Sequence, residues 1–202
     1  MVKKEIIIRV ASLADIDGIF CLYKRYMFDP YLLTLGDNFV KRYLEKILRN
    51  NNSIAFVAEN EELVGFIVGA LDRKKIICCL LFDFILFITW LKKTIIYPKH
   101  FLKILEFLKY PFLTKINNVK AELLFIAVKP EFRNSKIATA MIKRSLNYMQ
   151  NAGIKHVEVT VMSNNVPANN ILKKIGFINK SKINFLNKNM NLYYFDFLKN
   201  LS

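Results

Sequence analysis

The run Ala121-Glu122-Leu123-Leu124-Phe125-Ile126-Ala127-Val128 constrains this chain more than any other stretch. Apart from one charge it is a continuous apolar run, which reads as a strand. Lys129-Pro130 turns the chain, and a helical pattern then opens near Asn134 and continues to Gly153. A helix starting directly behind a strand presents unpaired N–H groups and the positive end of its dipole, which suits a phosphate or pyrophosphate. A further strand and helix follow, so the stretch up to Phe177 reads strand, turn, helix, strand, helix.

This order of residues resembles the GNAT superfamily of acetyl-CoA-dependent N-acetyltransferases. In that family the cofactor strand ends in a Val-x-x-x-x-Arg segment, followed by a turn of pattern Arg-x-x-Gly-x-Gly/Ala. Here stand Val128 and then Arg133, Asn134, Ser135, Lys136, Ile137 and Ala138, with Lys136 at the central glycine. The family's Asn-x-x-Ala-x-x-x-Tyr-x-Lys-x-Gly-Phe appears as Asn165, Ala168, Leu172, Lys174, Gly176 and Phe177, with leucine in the place of the tyrosine. The resemblance implies an α/β fold: a mixed, mostly antiparallel twisted sheet of about seven strands flanked by helices. It also implies acetyl-CoA as co-substrate, held along Phe125, Ile126, Ala127 and Val128, in the turn Arg133–Ala138, and by Asn165 and Ala168.

Histone-acetyltransferase-like members of the family carry their general base at the matching place on this strand, which makes Glu122 the catalytic candidate. So many apolar neighbours disfavour its charged form, as a base for an ammonium group requires. The plainer alternative is a strand-end glutamate in solvent beside Lys120. Leu172 cannot protonate a departing thiolate, so either the thiol leaves unassisted or another residue, such as Tyr193 or Tyr194, supplies the proton. Thr160 stands where ribosomal-protein N-terminal acetyltransferases resemble one another in having a glutamate, which weighs against a peptide amine.

The 202 residues, 53% of them hydrophobic, are expected to form one domain over 1–202 with an insert at 74–118. The 31 Lys+Arg against 16 Asp+Glu give a net charge of +15, which attracts phosphates, nucleotides and anionic membranes. Lysine is spread along the whole chain, so this balance selects no partner alone, and no nucleic-acid partner is expected. Cys21, Cys78 and Cys79 are odd in number and point to a reducing compartment. No Cys/His set has metal-ligand spacing, so no metal is expected. The first residues lack a secretory pattern, which places the protein in the cytoplasm, at the inner face of the membrane if its insert meets lipid.

In chain order, a strand at 5–10 is followed by Ser12 and Asp15 in a capping-box arrangement, then by a helix with Ile16, Ile19, Phe20, Tyr23 and Met27 on one face. The loop Phe28-Asp29-Pro30-Tyr31 would border the acceptor site in a GNAT domain, where its aromatics could stack on an acceptor or simply pack. A second helix fits 37–49, and a hairpin-like pair fits 54–58 and 63–70, its glycines marking close backbone passage. Asp72 suits a cap for the next element better than a contact to the acceptor amine.

Residues 76–91, IICCLLFDFILFITWL, are the anomaly. Sixteen helical residues span about 24 Å, short of the roughly 30 Å hydrocarbon layer, and Asp83 lies near the middle. A single crossing would also put the strands before and after it on opposite sides of the membrane. The expectation is instead a helical pair over 76–113, with an amphipathic part at 99–109, packed on one side of the sheet. Its apolar, lysine-rimmed face suits peripheral membrane contact or a long apolar substrate; the domain's own core or a homodimer contact are the alternatives. Strands at 178–186 and 191–198 around Asn187-Lys188-Asn189 complete the sheet. The functional expectation is acetyl transfer to a primary amine of a small or lipid-linked acceptor, such as an amino sugar. Its rivals are transfer to a protein or peptide amine, and a non-catalytic acyl-CoA-binding or membrane-associated module.

Overall fold

A computed structural model describes residues 5–27, 30–96, 119–133 and 135–199. Phe28, Asp29, Asn134 and the amphipathic pattern of 99–109 lie outside them, as do the side chains of Pro30 and Tyr31. Seven strands form one sheet: β1 (Ile7–Val10), β2 (Ser53–Asn60), β3 (Glu62–Ala70), β4 (Ala121–Val128), β5 (His156–Met162), β6 (Ile178–Phe185) and β7 (Lys188–Asp196). Their order is β1-β2-β3-β4-β5-β7-β6, and only β4 and β5 run parallel. The mixed, mostly antiparallel seven-stranded sheet flanked by helices is the architecture expected from the sequence.

Helices cover both faces. On one lie α1 (Ile16–Tyr26), α2 (Pro30–Thr34), α3 (Asp37–Leu48) and α4 (Arg73–Leu81), the last running into α5 (Phe84–Ile96). Ile19, Tyr23, Val40, Leu44 and Ile76 pack there on Val57, Phe66, Val68 and Ala127 of the sheet. On the other lie α6 (Ile137–Asn151) and α7 (Val166–Ile175), where Met141, Leu146, Met149 and Leu172 meet Ile54, Ile67, Leu123 and Val157. The unbroken apolar runs of β2, β3 and β4 follow from this double cover. Gly69 marks a close passage within the sheet: a Cβ there would lie 2.7 Å from Met149 Cε. The last hairpin turns at Leu186-Asn187, both with positive φ. That is one residue ahead of the expected turn, because a two-residue hairpin loop needs left-handed backbone at both positions and Asn187 tolerates it.

The insert departs from expectation at one point: 76–91 is two helices rather than one. Asp83 breaks them. Its carboxylate accepts from the Leu86 N–H at 3.0 Å and is held by Arg42 Nε at 2.8 Å and Lys46 Nζ at 2.9 Å. A carboxylate nearly excluded from solvent must bring its counter-charges with it, and α3 supplies both. Among the described residues no helix is long and apolar enough to cross a membrane.

Asp15 plays a similar part at the entry to α1. It caps Ser12 N–H at 2.7 Å and takes the Arg9 guanidinium through both oxygens, at 2.8 and 2.7 Å, which holds its pKa down at about 2. Asp83 is likewise held low, chiefly by Arg42. Both folded values lie below the unfolded one, so the stabilisation is complete above about pH 4 and fades as pH falls below it. Denaturant midpoints measured between about pH 5 and pH 2 should therefore fall more steeply for the wild type than for Asp15→Asn or Asp83→Asn. Parallel curves would show that neither pair contributes.

Candidate active site

β4 changes neighbours along its length. At Ala121–Leu123 it pairs with β5 (Ala121↔Val157, Glu122↔Glu158, Leu123↔Val159), and there the pairing stops. On its other edge the register with β3 shifts between Val68 and Gly69, which oppose Phe125 and Leu123, so Leu124 is an extra, bulged residue. A bulge bends and twists its strand, and here β4 leaves β5 where the bulge sits. β5 itself continues along β7 to Met162↔Met190. The β5-facing edge of Phe125–Val128 thus has no strand partner among the described residues. Exposure follows the same line: Leu124, Phe125 and Ile126 are half-exposed in a strand otherwise buried on both sides of them. Phe125 is steadied by edge-on contacts to Tyr23 and Tyr43, ring centroids 5.3 and 6.2 Å away.

Beyond β4, a turn at Pro130–Phe132 leads through Arg133 and Ser135 to Lys136, the N-cap of α6. Arg133 Nε reaches back to the Val128 carbonyl at 3.4 Å, and the Ser135 hydroxyl donates to the Phe132 carbonyl. Among the described residues no side chain caps α6, which leaves the N–H groups of Ile137 and Ala138 at the helix start without one. Lys136 has φ 62° and ψ 9°, the left-handed region. The family's glycine at this position is thereby explained: the turn needs positive φ, and lysine adopts it at a cost of about 1–2 kcal/mol. The ammonium group adds charge beside the uncapped helix end.

The Asn165-to-Phe177 pattern proves to be largely helix punctuation. Asn165 Oδ1 accepts from Ala168 N–H at 3.2 Å as the N-cap of α7, leaving its NH2 group for a ligand. Gly176, at φ 110°, closes the helix by donating to the Leu172 and Lys173 carbonyls, and Phe177 drops into the core. Leu172 is buried core. Tyr193 is fully buried and donates to Asn169 Oδ1 at 2.8 Å, which places its hydroxyl inside the protein. Tyr194, half-buried, stands on the opposite face with its hydroxyl 2.7 Å from His156 Nδ1.

Glu122 is buried, in agreement with its apolar sequence neighbours, yet those neighbours are not its only company. Arg73 Nη1 lies 3.1 Å from its Oε2 and 3.0 Å from Oε2 of Glu158, its register partner on β5. The sequence reading passed over both partners. Glu158 had one available signal, an acid between valines in a strand pattern; Arg73 had none, since its position depends on how the insert begins. Asp72 caps α4, accepting from Lys74 N–H at 3.0 Å and Lys75 N–H at 3.3 Å, as its place in the sequence implied.

Replacing Lys136 with glycine should relieve the left-handed strain, raising stability by about 0.5–1 kcal/mol after the extra chain entropy of glycine. Thermal unfolding measures it; a destabilised variant would mean that the lysine side chain holds the turn.

The residues present fit an elongated, phosphate-bearing ligand: a half-exposed strand edge continues into an uncapped helix N-terminus beside a lysine. Residues 16–177 match the family model described as "Acetyltransferase (GNAT) family". No curated protein sequence matches significantly. Among solved structures, the ribosomal-protein-S18-alanine N-acetyltransferase from Escherichia coli superposes with a TM-score of 0.61 at 11% identity, covering 95% of this chain and 94% of that one. A spermidine N-acetyltransferase SpeG chimera from Vibrio cholerae and hSSAT reaches 0.63 at 17% identity over 98% of each chain. A chain of the NatC complex bound to Gag peptide and CoA reaches 0.59 at 14% identity, covering 95% of this chain and 98% of that one. At such identities these likenesses carry the fold. With the family match covering most of its length, this chain belongs to the GNAT acetyltransferases, acyltransferases that use acetyl-CoA.

Proposed function

We propose that the protein transfers an acetyl group from acetyl-CoA to a primary amine of a small or lipid-linked acceptor, an amino sugar being one such, with Glu122 collecting the amine proton. The observation that carries this reading is the half-exposed Leu124–Ile126 segment, where β5 leaves β4 one rung beyond Glu122. The unpaired edge of Phe125–Val128 would hold the pantetheine arm. The N–H groups of Ile137 and Ala138, with Arg133, Ser135 and Lys136 around them, would hold the pyrophosphate. Asn165 would donate its amide from the β5 side, with Ala168 beside it. Acetyl-CoA supplies an activated acyl group whose carbon is attacked by the amine as the thiol departs. This chain's own task is then to orient the two reactants, present backbone N–H groups to the carbonyl oxygen, and take up a proton. The burial of Tyr193 and Leu172 favours departure of the thiol without a tyrosine acid, which a group of pKa about 8.5 can do.

Glu122→Gln keeps shape and removes basicity. It should lower kcat by about 10²–10⁴-fold, the usual worth of general acid–base catalysis. Its affinity for CoA in calorimetry should stay within about twofold, since Glu122 lies off the proposed cofactor groove. Near-normal kcat would remove Glu122 from the mechanism. CoA binding without amine-dependent thiol release across an amine panel would make the protein a binding module.

The insert supports an acceptor at a lipid surface. Among the described residues, half of the large exposed apolar side chains lie on it: Leu81, Phe82, Phe84, Ile85, Phe87, Leu91 and Ile95. Phe82 and Phe84, 88% and 74% exposed, flank the Asp83 clamp, so their exposure is set by a fixed elbow. Lys74 and Lys75 sit at the start of α4 and Lys92 and Lys93 in the second half of α5, about 12–15 Å from the elbow by helical rise. An apolar tip with lysines set back by that distance matches an interfacial depth of about 5–10 Å beneath anionic headgroups. The protein should therefore sediment with vesicles containing phosphatidylglycerol more than with phosphatidylcholine alone, and Phe82→Ser/Phe84→Ser should lose that binding. A wild type that stays in the supernatant, or dimerises through this face, would remove the support for a lipid-linked acceptor.

A further inference from the structure

Glu122 and Glu158 are directly opposed on the parallel β4–β5 pair, one rung before the strands separate. Arg73 Nη1 touches both carboxylates, and the three side chains are only 3%, 1% and 9% exposed. Arg73 is held from behind as well, because its backbone N–H donates to the Lys120 carbonyl at 2.9 Å, immediately before β4. The guanidinium is thus fixed to the same strand whose carboxylate it binds.

Such an arrangement works against a simple base. A guanidinium in contact with a buried carboxylate favours the ionised form and so weakens it as a proton acceptor. A second carboxylate on the same nitrogen acts in the opposite sense, sharing the cation and repelling the first negative charge. We infer that Glu158 and Arg73 are positioning residues for proton uptake by Glu122: Arg73 fixes the side chain at the mouth of the strand gap, and Glu158 offsets the hold of Arg73 on its charge. This rests on Glu122 being the base.

The other charged and titratable groups around this rung have their own partners or bring little charge. From β7, Tyr194 opposes Glu158 and Asp196 opposes His156, so all four stand on one face of the sheet. The Tyr194 hydroxyl is bound to His156 Nδ1, and burial, with Asp196 beside it, pushes its pKa up, so it stays neutral. From β3, Ala70 opposes Glu122 and carries no charge. Asp72 caps α4, and Arg42 and Lys46 of α3 are committed to Asp83. Lys120 precedes the strand and stays exposed.

The test compares pH profiles of kcat, with acetyl-CoA affinity measured separately, for Glu158→Gln, Glu158→Asp, Arg73→Lys and Glu122→Gln. In Glu158→Gln the guanidinium faces Glu122 alone. The ascending limb should then move to lower pH and the plateau should fall by about tenfold, a fraction of what a whole acid–base group contributes. Acetyl-CoA affinity should not change. Glu158→Asp retains the charge and should restore the limb at least in part. Arg73→Lys keeps a cation but loses the fixed fork and should lower kcat with the limb little moved. If Glu122→Gln is inactive while Glu158→Gln and Arg73→Lys follow the wild-type profile, this inference fails and the base assignment stands. If Glu122→Gln is itself active, both fall. Should Glu158→Gln fail to fold, Glu158→Asp and Arg73→Lys decide: wild-type profiles and rates in both would overturn the inference.

Discussion

β5 has two strand neighbours at its beginning and one at its end, and the candidate site depends on that change. Through Val159 it pairs with both β4 and β7; beyond that, only the β7 ladder continues. The bulged Leu124 turns β4 away at the same level. A strand edge in the middle of a sheet would ordinarily be an unsatisfied row of backbone donors and acceptors. Here that row is left open between two layers of helix, next to the start of α6, so that main-chain groups and a helix terminus point at one elongated space. Neither end of the sheet could provide this, since an outer edge lacks the second wall.

Two ionic contacts of α4–α5 tie this segment to the rest of the fold. Arg73, its first helical residue, reaches the rung below the opening, and Asp83, at its elbow, is clamped to α3. These ion pairs add to the packing of Ile76 and Leu86, which are buried. Phe82 and Phe84 stand in solvent on either side of Asp83, whose carboxylate is turned inward onto Arg42 and Lys46.

What could be read beforehand divides along physical lines. The apolar β4, the strand–turn–helix that follows and the caps at Ser12 and Asp72 are local consequences of residue type, and each was legible. Family motifs pointed to the strand and turn proposed to hold the cofactor, though much of the Asn165–Phe177 pattern serves as the cap, stop and staple of α7. Lys136 looked like a departure from the motif and is better described as the same left-handed backbone carried by a less suited residue. The Arg73–Glu122–Glu158 cluster and the Arg42–Lys46–Asp83 clamp were not legible, because their members lie far apart in sequence and come together only through the topology. The break in the insert was missed for the same reason: Asp83 stops a helix here because α3 has cations waiting for it.

The account stands or falls on whether the opening between β4 and β5 is where CoA lies. Amide hydrogen exchange, with and without CoA, tests this most directly. The account predicts slower exchange at Leu124–Val128 and at Lys136–Ala138, with the β6–β7 hairpin unchanged, because a bound ligand would shield the β5-facing edge of the strand and the start of α6. Protection confined to α4–α5, or spread evenly over the whole sheet, would contradict it and move the cofactor elsewhere.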